Sequence, residues 1–449
     1  MGRFYYIDPD GGDDQNDGQS LASPWRTHIG RVFQPGDSVL FKRGSIIRGE
    51  LTACSGEPGR PVRYGAYGEG DAPVFLGSLP IGTPDDWRET AANVWQYGKE
   101  LPSEACNLIF NGGETCGNLR WCVEDLKRQG QWHYTRIGLS NDEDGDASAH
   151  AGEPGILTLY SQANPGQWYS DMECALYGSR RLACGERHIV LEDLAFRNAG
   201  VHGYQEIGAE CIEIRRCEFS HIGGAVWSRK RRIRFGNAVE LWENAKDVAV
   251  KNCVFRNIYD SGVTHQGCDD SGTPRNLRFT GNLFMGCGMA AYECRGPAAA
   301  DVYFQRNVCV DAGGGFSPQG EPPPRQSEIY PEPMGHHVFI WRIAKGTQTG
   351  RVTMSDNIFY EAANGAAIYS QIDPEDEKNF IIDQNVFCQS GEGMLFRMND
   401  CVYRTAEFSL YQQETGHDQH SLLINSDQAV AFGQAYQFTG GEQNDEHAV

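Results

Sequence analysis

Apolar and polar residues alternate in short runs along much of this chain, and the runs recur in a fixed order. Between residues 236 and 296 the order occurs twice: an alternating run (248–250, then 277–279), a turn at Cys253 or Asn282, an aromatic residue two places later, and a glycine-containing bend before a second run. Alternation with a period of two is typical of β-strands with one buried face. The pattern therefore predicts a repeated unit of short strands.

The turn residue two places before the aromatic residue, or before its substitute, marks the repeat. It occurs at Leu194, Cys217, Cys253, Asn282, Asn307, Asn357 and Asn385. Spacings of about 23 to 29 residues dominate, and they suit one coil of a parallel β-helix in which each strand pairs with its counterpart in the next coil. Asparagine side chains at such turns can stack on one another. We therefore predict that the asparagines form one column. A leucine-rich horseshoe would show a recurrent L-x-x-L-x-L spacing, which is absent.

Two intervals exceed the repeat, and both carry their extra residues after the second strand of the unit. These insertions include residues 228–238 and 319–337. Insertions at one corner of successive coils emerge on one face, and loops on a rigid scaffold concentrate binding groups. We expect the two loops to wall a groove over the strands that carry Glu240, His265 and Glu293.

Composition narrows the class of protein. The 54 glycines support an all-β fold with many tight turns, and the net charge of −21 argues against nucleic acid or an anionic membrane surface as a partner. Residues 1–14 contain neither the basic nor the apolar segment of a signal peptide, and no run of about eighteen apolar residues occurs. Fifteen cysteines without paired C-x-x-C spacing favour a reducing cytoplasm. Secretion is the alternative if a leader has been removed.

The N-terminal sequence resembles a known group of proteins. Residues 6–18 (Y-I-D-P-D-G-G-D-D-Q-N-D-G), the pair Pro24-Trp25 and residues 36–44 (G-D-S-V-L-F-K-R-G) carry the resemblance. They are similar to the beginning of right-handed parallel β-helix proteins of the pectate-lyase-like superfamily, many of which are carbohydrate-active enzymes. The resemblance implies an all-β, right-handed parallel β-helix solenoid with loop insertions and a C-terminal cap.

We expect residues 1–449 to form a single domain, with the β-helix running from roughly residue 30 to 400. Within it we predict N-terminal opening strands over 1–80, a loop-rich elaboration over 80–185, clear coils over 186–400 and the cap over 401–449. Five tryptophans lie in the loop-rich part and indicate that it packs on the helix. No separate second domain is expected.

Two glutamates are the candidate catalytic pair. Glu240 and Glu293 occupy similar places two units apart, and coils of a parallel stack are about 4.8 Å apart, so the two backbones should be about 9.6 Å apart. An inverting glycosidase needs carboxyl groups about 6.5–9.5 Å apart. His265 lies between them in sequence, where an exposed imidazole could bind sugar hydroxyls or move a proton, and Asp260 could supply another acid. A solvent-facing pair, a structural histidine and a turn aspartate are the competing interpretations.

Basic and aromatic residues near the same corner are the candidate substrate-binding groups. Guanidinium groups bind carboxylates and sulfates in a bidentate manner, and aromatic rings can stack on sugars. The candidates are Arg229, Arg232, Trp242, Arg295, Trp341 and Tyr369. A solvated basic loop and aromatics that fill the core, as we expect of Phe219, Phe255 and Phe284, are the alternatives.

Three functions are compatible with this pattern. The first is a glycoside hydrolase that uses paired carboxylates on an oligo- or polysaccharide, without cofactor or metal. The second is a polysaccharide lyase, in which a cation such as Arg or Ca²⁺ neutralises a uronate. The third is a non-catalytic glycan-binding solenoid. The candidate region has few lysines, Lys246 and Lys251 being those between Arg232 and Arg295, so a lyase with a lysine base is disfavoured and the hydrolase leads. The oligomeric state stays open.

Overall fold

The chain winds into a right-handed parallel β-helix, as predicted, with one strand per coil in each of three ten-stranded sheets. The computed structural model describes residues 2–137, 153–178, 180–267, 272–295, 299–314, 334–341, 350–362, 366–372, 374–390, 393–425 and 428. No helix in these ranges is long and apolar enough to cross a membrane.

The three sheets are formed by strands that are far apart in sequence but adjacent in space. The first sheet contains Phe4–Ile7, Ser38–Lys42, Val62–Tyr67, Arg187–Glu192, Glu210–Arg215, Lys246–Lys251, Arg275–Thr280, Ala300–Gln305, Val352–Ser355 and Phe380–Asp383. The second contains Ile46–Arg48, Val74–Leu76, Ala195–Arg197, Glu218–Ile222, Val254–Ile258, Leu283–Cys287, Val308–Ala312, Ile358–Ala362, Val386–Cys388 and Leu422–Ile424. The third, the site sheet, contains Leu51–Thr52, Arg181–Cys184, His202–Ile207, Val239–Trp242, Ser261–Gln266, Ala290–Cys294, His336–Ile340, Ile368–Ser370, Met394–Met398 and Cys401–Arg404.

The predicted column of asparagines is present at the turn between the first and second sheets. The backbone N–H of Asn282 donates to Oδ1 of Asn307 at 2.9 Å, and Asn307 and Asn357 donate in the same way to Asn357 and Asn385 at 3.0 Å. Cys253 continues the column by donating its N–H to Oδ1 of Asn282. Because these groups are buried, each side-chain amide satisfies backbone polar groups that water cannot reach. The predicted register is therefore confirmed.

Stacked phenylalanines fill the helix interior. Phe219, Phe255 and Phe284 are buried, and their ring centroids are 5.2 Å and 4.6 Å apart in successive coils with nearly parallel planes. The same register places Phe196 below them, 5.2 Å from Phe219. The predicted core role of these rings is confirmed, and the stack explains why the aromatic residue recurs with each coil.

The segment between the first coils and residue 181 forms two smaller sheets with a hydrophobic cluster of their own. The four-stranded sheet contains Thr115–Cys116, Ala105–Phe110, Met172–Leu176 and Ser78–Pro80. The five-stranded sheet contains Asn118–Leu119, Gln131–Arg136, Gly155–Tyr160, Val94–Tyr97 and Trp87–Ala91. Trp132 and Tyr134 are fully buried between them. We call this segment the elaboration.

A hairpin inserted after the second sheet contacts the elaboration. Its strands, Ala225–Ser228 and Ile233–Phe235, pair antiparallel, which accounts for the insertion at 228–238. Arg234 is fully buried and donates to the backbone oxygens of Gly224 and Cys106 and to Oδ1 of Asn107. The second predicted wall is the loop 319–337. Residues 319–333 of this loop lie outside the described residues, so the groove between the two walls stays a prediction.

The C-terminal segment covers the last coil. Strand Cys401–Arg404 turns back antiparallel onto Met394–Met398, and helix Phe408–Thr415 places Tyr411 on Phe396 with ring centroids 3.8 Å apart. Asp418 ends the asparagine column by accepting from Nδ2 of Asn385 at 3.1 Å. The other helices of the described ranges are single turns: Pro165–Trp168 and Pro374–Glu377, with 3-10 turns at Pro84–Asp86, Asn111–Gly113, Val123–Asp125 and Thr405–Glu407.

Candidate active site

Glu240 and Glu293 lie in one row of the site sheet, two strands apart. Glu240 is in register with Thr264, and Thr264 is in register with Glu293. Side chains in register on parallel strands point to the same face, so the two carboxylates share the outer face with one strand between them. The predicted register of Glu240 and Glu293 is confirmed, and their catalytic role stays a prediction. The full row, which we call the carboxylate row, is Gln205, Glu240, Thr264, Glu293, Phe339, Tyr369 and Arg397.

His265 does not share this face, contrary to the expectation of an exposed imidazole. It follows Thr264 directly, and successive residues of a strand point to opposite faces, so its ring lies inside the helix. It is fully buried, and its Nε2 is 2.9 Å from the hydroxyl of Tyr292. Burial lowers the pKa of His265 to about 4. It is a neutral core residue, and the structure places it away from any substrate on the outer face.

Glu240 is buried yet held in its charged form. Its Oε2 is 2.7 Å from Nδ1 of His202 and accepts from Nδ2 of Asn237 at 3.3 Å. Burial alone would raise the pKa of Glu240, but the charge and hydrogen bond of His202, with smaller contributions from Asn237 and Arg180, outweigh it, and the pKa is lowered. The sequence analysis identified neither His202 nor Asn237. The two residues lie on neighbouring coils, but the hairpin inserted between them lengthens the interval, so they do not show the spacing of the repeat.

Glu293 has the opposite character. Its Oε1 accepts from Nε1 of Trp341 at 2.6 Å, and its Oε2 is 3.0 Å from Oγ of Ser261 and accepts from Nε2 of Gln266 at 3.3 Å. Complete burial raises the pKa of Glu293 to about 7, against the lowering effect of Arg295 and of the hydrogen bonds from Trp341 and Ser261. The negative charge of Asp260 adds to the rise. Glu293 therefore keeps its proton up to about neutral pH.

Asp260 supports the site without lying in the carboxylate row. Its Oδ2 accepts from the backbone N–H of Gly236 at 2.9 Å, where the hairpin rejoins the helix, and its side chain is buried. Through space it disfavours ionisation of Glu293. The structure thus gives Asp260 an electrostatic and structural position rather than that of a second acid facing a substrate.

Arg229 and Arg232 are not brought to the carboxylates, contrary to the expectation of a basic substrate-binding loop. Arg229 is buried at the base of the hairpin turn, where its Nη2 donates to Oε1 of Glu104 and to the backbone oxygen of Tyr134 in the elaboration. Arg232 is exposed at the turn of the hairpin, with a positive φ of 55°. A buried carboxylate needs a paired cation, so Arg229 serves the contact with the elaboration.

Trp242 and Arg295 do lie beside the carboxylates. Trp242 is two residues after Glu240, on the same face of the strand, and is half-buried in register with Gln266. Arg295 directly follows the strand of Glu293 and is exposed, with its guanidinium carbon 5.2 Å from the ring centroid of Trp341. Their predicted role in binding substrate stays a prediction, since the structure gives their position only.

Trp341 and Tyr369 both pack on Phe339, Trp341 from the same coil and Tyr369 from the next coil. Phe339 lies 4.3 Å from Trp341 and 4.9 Å from Tyr369, measured between ring centroids. Arg295 covers Trp341 from one neighbouring strand, and Arg397 covers Tyr369 from the other at 4.8 Å. The two faces of Tyr369 are therefore occupied by Phe339 and Arg397. Contrary to the expectation of face stacking on a sugar, Tyr369 offers its edge and hydroxyl, which accepts from Gln371.

Within the ranges given above, no three His, Cys, Asp or Glu side chains are grouped to hold a metal ion. A surface depression of about 630 Å³ lies on the asparagine side of the coil and contains neither carboxylate. It is lined by Gln305, Arg306, Asn307, Val308, Asp356 and Ile358. This depression therefore does not coincide with Glu240 and Glu293 of the carboxylate row.

Comparison with known proteins gives distant structural likenesses. The chain matches no protein-family model and no curated protein sequence. A GH136 lacto-N-biosidase from Eubacterium ramulus is 13% identical with a TM-score of 0.47, over 95% of this chain and 67% of that chain. A structure described as a glycoside hydrolase is 12% identical with a TM-score of 0.44, over 89% of this chain and 95% of that chain. Pectate lyase Pel9A is 13% identical with a TM-score of 0.41, over 89% of this chain and 78% of that chain.

Proposed function

We propose that this protein is a glycoside hydrolase in which Glu293 is the general acid and Glu240 the general base. One observation carries the proposal: two carboxyl groups of the same row have environments that move their pKa values in opposite directions. Hydrolysis of a glycosidic bond needs one protonated and one ionised carboxyl group at the same pH.

The two groups would act on opposite sides of the bond that is cleaved. Glu293 gives its proton to the leaving glycosidic oxygen as the bond from that oxygen to the anomeric carbon breaks. Glu240 takes a proton from the water that attacks the same carbon, so the sugar leaves with a new hydroxyl group. His202 and Asn237 hold Glu240 ionised for this role.

The strand between the two glutamates favours inversion of the anomeric centre. Two steps between parallel strands separate the backbones by about 9.6 Å. That spacing is compatible with the gap of about 6.5–9.5 Å that lets a water enter between the carboxyl groups, whereas retention needs about 5–5.5 Å. An oligo- or polysaccharide is the proposed substrate, and a cytoplasmic location is proposed with it.

The pH profile of activity should report the two carboxyl groups. Glu240 must be ionised, and because its pKa is lowered, kcat/KM should already be close to its maximum near pH 5. Glu293 must be protonated, and because its pKa is raised to about 7, kcat/KM should fall as the pH rises through about 7. Measured from about pH 5 upward, kcat/KM should be level at first and then fall through about pH 7, and the rising limb due to Glu240 should lie at lower pH. A profile that rises through pH 7 would contradict the assignment of Glu293 as the acid.

One assay tests the proposal against its alternatives. The protein is incubated with a panel of neutral and uronate-containing oligosaccharides, and both new reducing ends and the ultraviolet absorbance of unsaturated uronates are recorded. Hydrolysis gives reducing ends without the absorbance, and this is the expected result. Absorbance together with reducing ends would indicate a lyase. Binding of glycans without either signal would indicate a non-catalytic solenoid.

A further inference from the structure

We propose that Trp341 is a positioning residue that confines the acidic proton of Glu293 to Oε2, the oxygen on the side of Glu240. The inference rests on the proposed role of Glu293 as general acid. It goes further because it assigns the proton to one oxygen atom of Glu293. It also gives Trp341 a role in catalysis in addition to its packing on Phe339.

The indole of Trp341 fixes which oxygen can be the carbonyl oxygen. Its Nε1–H is a donor only and lies 2.6 Å from Oε1 of Glu293, the shortest contact to this carboxyl group in the described residues. When Glu293 is protonated, its carbonyl oxygen is the better acceptor and its hydroxyl oxygen the poorer one. The short bond to Trp341 therefore marks Oε1 as the carbonyl oxygen and leaves the proton on Oε2.

The partners of Oε2 suit an oxygen that carries a proton. The hydroxyl of Ser261, at 3.0 Å, can accept a hydrogen bond, and the amide of Gln266 is more distant at 3.3 Å. Both residues lie on strand Ser261–Gln266, which separates Glu293 from Glu240. Trp341 directly follows the strand on the other side of Glu293. The proton is thus held on the side where a glycosidic bond between the two carboxyl groups would lie.

The packing described above keeps the indole in place. Trp341 packs on Phe339 with ring centroids 4.3 Å apart, and Phe339 is buried and packs in turn on Tyr369. Because this packing already restricts the indole, its hydrogen bond to Glu293 costs little additional side-chain freedom. Without the packing the indole could rotate away from Glu293, and the proton could then occupy either oxygen of the carboxyl group.

The charged groups around Glu293 oppose one another. Arg295 on the outer side favours the ionised form of Glu293, whereas Asp260 from the neighbouring coil disfavours it. Glu240 lies two strands away and is in contact with His202. A hydrogen bond from Trp341 favours the ionised form. Removing the indole N–H should therefore raise the pKa of Glu293 without changing any formal charge.

The test is an infrared titration of Trp341→Phe, which keeps a ring against Phe339 but removes the donor. The C=O stretching band of the protonated Glu293 side chain is assigned as the band missing from Glu293→Gln. Two changes are expected in Trp341→Phe: the band moves to higher wavenumber because Oε1 has lost its donor, and it persists to a pH about one unit higher than in the wild-type protein. Trp168→Phe, a half-exposed tryptophan of the elaboration, is the matched control and should change neither.

An unchanged wavenumber in Trp341→Phe would overturn the proposal, because it would place the carbonyl group on Oε2. A band that titrates at the wild-type pH would overturn it as well. If Trp341→Phe does not fold, Phe339→Leu leaves the indole but removes its support, and the same two shifts are expected at smaller size. The titration needs no substrate. Absence of glycan cleavage would therefore reject the hydrolase proposal, whereas the position of the proton on Glu293 is tested separately by the infrared bands.

Discussion

Replacing either glutamate of the carboxylate row by glutamine should reduce kcat by about 10²–10⁴-fold on a glycan that the wild-type protein cleaves. Glutamine keeps the shape and much of the hydrogen bonding, but it can neither give up a proton at position 293 nor take one at position 240. The two losses differ in their pH dependence. The fall of kcat/KM near pH 7 should disappear in Glu293→Gln, since Glu293 is the group that titrates there.

Cys253→Ala is the matched control for these variants. Cys253 is buried in the turn column, far from the carboxylate row, and its loss should change stability by about 1–3 kcal/mol while leaving turnover almost unchanged. Near-normal turnover in both glutamine variants would remove the acid and base from this row and favour the lyase or the non-catalytic alternative.

Stability must be compared at more than one pH, because Glu293 itself makes folding pH-dependent. Its pKa is raised from the usual 4.5 to about 7 in the folded state, so the folded protein binds more protons than the unfolded chain between these values. The free energy of unfolding should therefore fall as the pH rises from about 4.5 to 7. Glu293→Gln removes this loss, and it should unfold at higher temperature than the wild-type protein above pH 7. At pH 8 this gain would hide any destabilising effect of the substitution, so the melting temperatures of the variant and the wild-type protein must also be compared at lower pH.

The fold could be predicted because each coil repeats its own local chemistry. Asn282, Asn307 and Asn357 are separated in sequence by a coil or more, but each must satisfy the turn of its neighbour, and that requirement leaves a visible spacing. The same register carried the prediction from the turns to Glu240 and Glu293. Their shared row is a consequence of strand geometry, and no knowledge of the substrate was needed.

The surroundings of the carboxylates could not be predicted in the same way. His265 was assigned to the outer face because its place in the unit is only one residue from that of Thr264, and one residue reverses the direction of a side chain. His202 precedes an inserted hairpin, which hides its alignment with Asn237. The carboxylates were also expected at an exposed face, yet Glu240 and Glu293 are 5% and 0% exposed. Burial acts to raise the pKa of both groups, and the contact of His202 with Glu240 is what separates the two values.

Contacts between distant segments account for the remaining error. Arg229 lies in a run of basic residues that reads as a solvent-exposed or substrate-binding loop, but its partner, Glu104, belongs to the elaboration more than a hundred residues earlier. No local pattern marks such a pair. The run divides instead by position on the hairpin: Arg229 and Arg234 point into the elaboration, and Arg232 remains exposed at the turn.

This division gives the second large expected effect. Arg229→Ala should lower the free energy of unfolding by about 3–5 kcal/mol, because it leaves the carboxylate of Glu104 buried without its closest cation. Arg136, whose Nε is 3.6 Å from Oε2 of Glu104, replaces that contact only in part. Arg232→Ala removes the same charge from an exposed position and should change the free energy by no more than about 0.5 kcal/mol.

Denaturant unfolding of the two variants decides between the structural and the substrate-binding interpretation of the basic run. If Arg229 held an acidic group of the substrate, Arg229→Ala would unfold like the wild-type protein and show a raised KM for uronate-containing glycans. The buried pair with Glu104 predicts the reverse. Stability should fall for Arg229→Ala, and KM should not distinguish acidic from neutral substrates in whatever fraction of the variant stays folded.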